Sequence, residues 1–422
     1  MEDKLEISDI LLKYNKLDMA LEVLEEVREN FPNSKEVLFR ISKVYEKKGF
    51  YDQALDILHK VKLLEPKNGE TYFKMATIYQ MKEDLGKCYE NLSLALNNGF
   101  SSEKVFYYKG LVKESLVKFN EAIYEYTKAL RKNNGYLEAR YRKYSVYMKL
   151  NMIEEAKVTL DEMIKYNGYV YDGYNLRIIL ALKENNNKEA YKFLQKAQSI
   201  FNDYSPLKLD FVKYYIQEKQ YKEALNIIDT ISDEDGYYED FMIIKSRILC
   251  LQENNEEAIE LLNDYKVYNE ENLEMIFLLS LLNYKVGNVT ESIKNIEIIN
   301  NSDELTSEYS KLALILKGYV YKYNKEFDKA IEHFKNVYNI FRIQNLSDPY
   351  NTSTLFLRIL TLIEANEFDK CQVLINGLER LEPVKFNSEV KDLRELISIK
   401  KNKNSQDITD EKEILINIFS KR

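Results

Sequence analysis

Lys118–Leu130 reads KFNEAIYEYTKAL, and the spacing within it decides the fold. Phe119, Ala122, Tyr126 and Ala129 recur at intervals of 3, 4 and 3, which places them on one face of a helix. Ala122 and Ala129 are small, so that face admits a close neighbour. Steps of 34 residues from Ala122 land backwards on Cys88, Ala54 and Ala20, and forwards on Ala156, Ala190, Ala224, Ala258 and Ser292. Nine small residues hold this period without slippage. A fixed period of that length marks a stack of like supersecondary units.

Each unit begins 19 residues before its small residue, at Met1, Lys35, Gly69, Glu103, Leu137, Tyr171, Ser205, Glu239 and Leu273, so the small residue is position 20. Position 24 is large, as in Leu58, Leu92, Tyr126 and Leu160, and position 8 is small in Ser42, Ala76, Gly110, Ser246 and Ser280. A unit reads as helix A, tight turn, helix B. In the second, helix A is expected over Lys35–Lys48, the turn at Gly49–Phe50 and helix B over Asp52–Glu65. Pro32 and Pro66 end helix B in the first two units. Bulk at position 8 in Tyr144, Ile178 and Val212 predicts a local irregularity over Leu137–Tyr238.

Beyond Ser292 the spacing lengthens: Ala330 follows by 38 residues and Cys371 by a further 41. The added residues fall in the polar stretches Asn300–Glu308 and Asn345–Asn351, which read as longer loops. The resulting layout is nine in-register units over 1–306, two further units over 307–385, a capping helix over 386–401, and a linker with a short amphipathic helix over 402–422. That last helix is expected at Asp410–Phe419. A polar-faced terminal cap is what a stack of repeats needs for solubility.

Composition agrees with helices. The chain has 422 residues, of which 45% are hydrophobic and 31% charged, with only 12 Gly and 5 Pro. A sandwich or barrel needs turn residues far more often. The net charge is −8, and no basic run exceeds Lys400–Lys403, which argues against a nucleic-acid binder. Cys88, Cys250 and Cys371 are too scattered for a disulfide framework or a zinc site. The N-terminal MEDKLEISD lacks the pattern of a secretory signal, and the most apolar run, Met275–Leu282, is too short to span a bilayer. A cytoplasmic location is expected.

These residues resemble the tetratricopeptide repeat. The fourth unit carries Phe106, Gly110, Phe119, Ala122, Tyr126 and Ala129, and the tenth carries Leu314, Gly318, Tyr321, Phe327, Ala330 and Phe334. The resemblance covers about residues 1–385 in about eleven repeats. It implies an all-α fold, a right-handed superhelical solenoid of antiparallel helix pairs closed by a C-terminal capping helix. It also implies a concave groove lined by helix A positions 2, 5, 9, 12 and 13, where proteins of this type bind peptides or other proteins.

Position 5 is aromatic in four successive units, Phe39, Phe73, Tyr107 and Tyr141, and again in Phe277. Such a ladder either contacts a peptide or packs on its own helix B. If it binds, replacing Tyr107 and Tyr141 by Ala should weaken binding with little change in melting temperature. Further along, Ile179, Leu209, Ile243 and Phe277, with Leu182, Ile216, Cys250, Leu251 and Leu281, form an apolar stripe. A partner helix or the segment Asp410–Phe419 could cover it. Position 2 is often acidic (Glu36, Glu70, Glu274) and position 13 often Lys (Lys13, Lys47, Lys149, Lys183, Lys285). These charges either edge the groove or complement the helix macrodipole. The Lys and Asn clamp by which some members hold chaperone C-termini is absent.

Catalysis finds no support. His59 and His333 lie eight repeats apart, the Cys at position 20 fill packing slots, and no phosphate loop or nucleophile elbow occurs. No cofactor and no metal are expected. The expected function is a non-enzymatic scaffold binding a protein or peptide in its groove. The alternatives are an RNA-binding helical repeat, opposed by the period of 34 and the acidic balance, and a peptide-sensing regulator, opposed by the lack of room for a preceding DNA-binding domain.

Overall fold

A computed structural model describes residues 1–266, 272–302, 307–347, 351–381 and 387–402. Among them there are 23 helices and no strand. The chain divides into two compact units, Met1–Gly173 and Tyr174–Arg422. The expected segment Asp410–Phe419 lies outside the described residues.

In the first unit the helix pairs are α1 Glu2–Lys13 with α2 Leu17–Asn30, α3 Lys35–Lys47 with α4 Tyr51–Leu64, and α5 Gly69–Met81 with α6 Leu85–Asn97. Then come α7 Glu103–Ser115 with α8 Phe119–Lys132, and α9 Leu137–Lys149 with α10 Ile153–Tyr166. Odd helices are A and even helices are B. The stretch KFNEAIYEYTKAL thus supplies helix B of the fourth pair, and Ala122, Tyr126 and Ala129 on its inner face are fully buried. Gly110 must be small for a geometric reason: a Cβ there would lie 2.4 Å from the Tyr126 ring. The Tyr126 hydroxyl donates to Glu114 Oε2 at 2.7 Å, so the ring fills the slot and its polar end is satisfied.

Every turn from A to B has the same construction. Position 15 has positive φ in all eleven: Asn15, Gly49, Glu83, Val117, Asn151, Asn185, Lys219, Glu253, Gly287, Lys325 and Asn366. The next residue's N–H donates to the carbonyl five residues back, as in Phe50 to Tyr45, Lys118 to Lys113 and Glu326 to Tyr321, each at 2.9 Å. This is the left-handed helix stop that satisfies orphan carbonyls, and it normally prefers Gly or Asn. Several A helices start on a Ser or Asn cap, among them Ser34, Asn68, Asn272 and Asn351, each accepting from the backbone three residues on.

In the second unit the pairs are α11 Asp172–Lys183 with α12 Asn187–Gln198, α13 Ser205–Gln217 with α14 Tyr221–Ile228, and α15 Tyr238–Leu251 with α16 Asn255–Lys266. They continue with α17 Leu273–Lys285 and α18 Val289–Asn300, α19 Glu308–Tyr323 and α20 Phe327–Ser347, and α21 Thr352–Glu364 and α22 Phe368–Leu381. The single helix α23 Asn387–Asn402 follows. Helix α14 has only 8 residues. One expectation is corrected. Asn345 to Ser347 are not loop, because α20 runs on for 21 residues. Val337 and Phe341, both buried, carry its apolar face inward for the extra turns.

The cap helix is pinned by charge as well as by packing. Val390, Leu393 and Leu396 are buried in the core. Glu364, 1% exposed at the end of α21, accepts from Lys400 of α23 at 2.9 Å and from Lys322 of α19. Burial alone would raise the Glu364 carboxyl, but the two ammonium groups outweigh it and hold it below the usual carboxylate range.

Candidate functional site

The first unit carries a pocket of about 250 Å³ on the A helices. Its lining comes from Phe39, Ser42, Lys43 and Glu46 of α3, from Phe73, Lys74, Thr77 and Ile78 of α5, and from Lys104 and Tyr108 of α7, with Leu58 of α4 behind. Positions 2, 5, 9 and 12 therefore all contribute. Position 6 (Lys74, Tyr108), position 8 (Ser42) and position 10 (Ile78) are additions to the expected groove positions. Position 6 could be found by noting that it lies one turn from position 2 on the same helical face.

The four aromatic residues at position 5 have three different settings. Phe39 and Phe73 are half-buried and line the pocket. The Lys74 ammonium sits 4.8 Å from the Phe39 ring centroid. The Phe73 ring packs 5.2 Å from Phe100 and edge-on at 5.8 Å to Tyr108. Tyr107 turns into a ring cluster with Tyr108, Tyr126 and Tyr136 at 5.5, 6.0 and 5.3 Å. Tyr141 is 48% exposed beside Tyr144. The pocket brings together two of the four.

Two of the pocket's hydroxyls, those of Ser42 and Thr77, are turned inward, and the third belongs to Tyr108. Ser42 Oγ donates to the Phe39 carbonyl and Thr77 Oγ1 to the Lys74 carbonyl, both at 2.8 Å. Its charged donors are the ammonium groups of Lys43, Lys74 and Lys104. Lys43 pairs with Glu46 at 2.8 Å and Lys74 with Glu70 at 3.3 Å, each within its own helix. Lys104 is exposed at the rim.

The second unit treats the same positions differently. Ile179 is half-buried, while Leu209, Ile243 and Phe277 are only 8%, 4% and 3% exposed. Leu182, Cys250 and Leu281 are buried as well. The expected apolar stripe is thus interior at Leu182, Leu209, Ile243, Cys250, Phe277 and Leu281, and half-buried at Ile179, Ile216 and Leu251. The physical reason is that helices A here are apolar on several faces: every residue from Met275 to Asn283 is buried. Successive backbones of α15, α17, α19 and α21 also approach one another. Polar groups retained on these helices are paired: Asp210 accepts from Asn175 at 2.7 Å and meets Lys213 at 3.3 Å, and Arg247 meets Glu274 at 2.6 Å.

Position 13 acts as a link between neighbouring repeats. Lys47 donates to the Leu12 carbonyl and Lys285 to that of Cys250, both at 3.0 Å, and Lys149 pairs with Glu114 at 2.7 Å. Gln217 makes the same link to Leu182 at 3.0 Å. Lys47, Lys285 and Gln217 thereby cap the last turn of the preceding helix A, while Lys149 pairs with a side chain there.

The thiols and imidazole are poorly suited to chemistry. Burial pushes Cys88 and Cys371 up to about 12, and Cys250 upward, so little thiolate forms. His333 is half-buried with Nε2 2.8 Å from the Leu314 carbonyl, and burial lowers its pKa. Among the described residues no helix is long and apolar enough to cross a membrane.

Residues 181–236 match the family model described as tetratricopeptide repeat. No curated protein matches the chain. Among solved structures, that of the MamA protein is similar at 21% identity over 40% of this chain and 94% of that one, with a TM-score of 0.34. The structure titled as a functional characterisation of pilF from Pseudomonas aeruginosa is 15% identical over 50% of this chain and 96% of that one, at 0.41. YrrB, described as a tetratricopeptide-repeat protein with an unusual peptide-binding site, is 19% identical over 44% and 96%, at 0.34.

Proposed function

We propose that this chain, a tetratricopeptide-repeat protein of about eleven repeats, is a cytoplasmic, non-catalytic scaffold that holds a peptide or a protein segment against the helices A of its first unit. The observation that supports this reading is the pocket itself. It is built on three successive helices A around Phe39 and Phe73, and it draws on the positions that carry binding in such repeats. A pocket of about 250 Å³ has room for side chains of a bound segment. An extended segment would present such side chains to successive helices A. Tyr141 continues the face as an exposed aromatic, and Tyr107 supports it from within.

Peptide-display selection against the intact protein tests this. Enriched peptides should lose binding to a Phe39→Ala, Phe73→Ala variant whose helicity is retained. Peptides that bind the variant equally well would place the site elsewhere on the molecule.

A further inference from the structure

Repeats of one design allow a site to be read against its neighbours. Between the first and second repeats, position 9 is Asp9 and position 6 is Arg40, and they form a bidentate pair with Arg40 Nε 3.0 Å from Asp9 Oδ1 and Nη2 2.9 Å from Oδ2. One repeat on, the same two positions are Lys43 and Lys74, and both line the pocket. The carboxylate that occupies this junction in the first pair is replaced by a second cation. Lys104 adds a third from the next helix A, against Glu46 as the sole acid in the lining. The excess is local, because the chain as a whole carries 69 acids to 61 basic residues.

We propose that the pocket is completed by the carboxylate of an aspartate or glutamate within the peptide ligand, seated where the Asp9 carboxylate would lie one repeat on. This rests on the peptide-binding reading above. The pocket's charged donors are three ammonium groups, with the Tyr108 hydroxyl beside them, and this set suits a carboxylate acceptor. The half-buried faces of Phe39 and Phe73 take the apolar part of the same or the adjacent side chain. The pairs Lys43–Glu46 and Lys74–Glu70 are short-range surface pairs, of the kind worth little in isolation, so both lysines turn to an entering carboxylate at small cost. The negative charge comes from a side chain inside the peptide, since the aromatic Phe39 stands where a terminal-carboxylate clamp needs Lys.

The test selects randomised peptides on the full-length protein, with the randomised region flanked by neutral residues and followed by an amidated terminus in the binding assay. Expected are an Asp or Glu beside an aliphatic or aromatic residue, binding that weakens about tenfold for Lys104→Gln and more for Lys43→Gln with Lys74→Gln, and a marked loss between about 50 and 200 mM salt. Lys104 is exposed, so its variant reports on charge with the fold intact. Enriched peptides without acids, or acidic peptides indifferent to the three lysines, overturn the inference and leave the peptide reading standing. Binding that vanishes on terminal amidation also overturns it. A 12-nucleotide oligouridylate that competes at equal affinity replaces it with a nucleic-acid site. If no peptide is enriched, the peptide reading falls and this inference with it.

Discussion

Position 5 of helix A is partly open at Phe39, Phe73 and Tyr141 of the first unit and closed at Leu209, Ile243 and Phe277 of the second. Phe39 and Phe73 stand half-open in a cationic pocket, whereas Ile243 and Phe277 are closed in by apolar helices A on either side. The turns and the small position 20 are the same in both units. The turn and position 20 are thus held alike in both units, and the face of helix A between hairpins is where the two units diverge. A repeat array can specialise at such positions because each unit needs only its own hairpin and its neighbours for stability.

The sharpest break of this comparison is expected at the ion cluster of the cap. Glu364→Gln removes the buried carboxylate that Lys322 and Lys400 share, and a loss of about 3–5 kcal/mol is expected, confined to the second unit. Hydrogen exchange should register the loss in α19–α23 and leave α1–α10 unchanged. The wild type should show the related pH effect. Its Glu364 carboxyl sits below the ordinary value, so the stabilisation is complete above the unfolded carboxyl's pKa and disappears as pH falls through the folded one. Protection of α23 that is the same at pH 3 and pH 7 would contradict this.

A comparable loss, about 3–5 kcal/mol, is expected for Phe277→Ala, since its ring is interior. Phe39→Ala should cost about 1–2 kcal/mol, because its ring is only part-buried. Equal losses in urea titrations would erase the distinction between the two faces. Tyr107→Ala belongs with Phe277, since three rings pack on it, and its melting temperature should drop despite its place in the aromatic ladder.

Matched glycines test the other half of the comparison, that hairpins are alike. A Cβ at Gly110 would sit 2.4 Å from Tyr126, and one at Gly318 would sit 2.4 Å from Phe334. Gly110→Ala and Gly318→Ala should each cost about 1–3 kcal/mol. A large loss at one and none at the other would mean that the two hairpins pack differently. The smallest effect is expected at the turns. Val117 is β-branched at φ 59°. Val117→Gly should stabilise by about 0.5–1 kcal/mol, and Gly49→Ala, at φ 77°, should destabilise by a similar amount. Thermal melts of the two variants should shift in opposite directions.

Much of the fold is legible from spacing. The helices of the second repeat end within a residue or so of expectation, and Lys47 rather than Lys48 closes α3. Period marks Phe39, Phe73, Tyr107 and Tyr141 alike, and only Phe39 and Phe73 of these meet in the pocket. Tyr107 and Phe277 share their register, but their surroundings are set by residues far away in sequence. The helical run through Asn345–Ser347 is hidden because its polar residues resemble a loop, while Phe341 supplies the inward anchor.

By itself the sequence determined the hairpin: its length, its small residues at 8 and 20, and its large residue at 24. Those are local demands, met within one unit by helical period and side-chain size. It marks the left-handed residue at position 15 only in part, because Asn15, Gly49, Asn151, Asn185, Gly287 and Asn366 carry the usual signal whereas Glu83, Val117, Lys219, Glu253 and Lys325 do not. Only the tertiary structure decided which aromatic residues at position 5 stay open and which are closed, because a side chain's exposure depends on how near the next helix A comes. It also decided that Lys43 and Lys74 line one pocket, at the junction where their counterparts Asp9 and Arg40 pair acid with base.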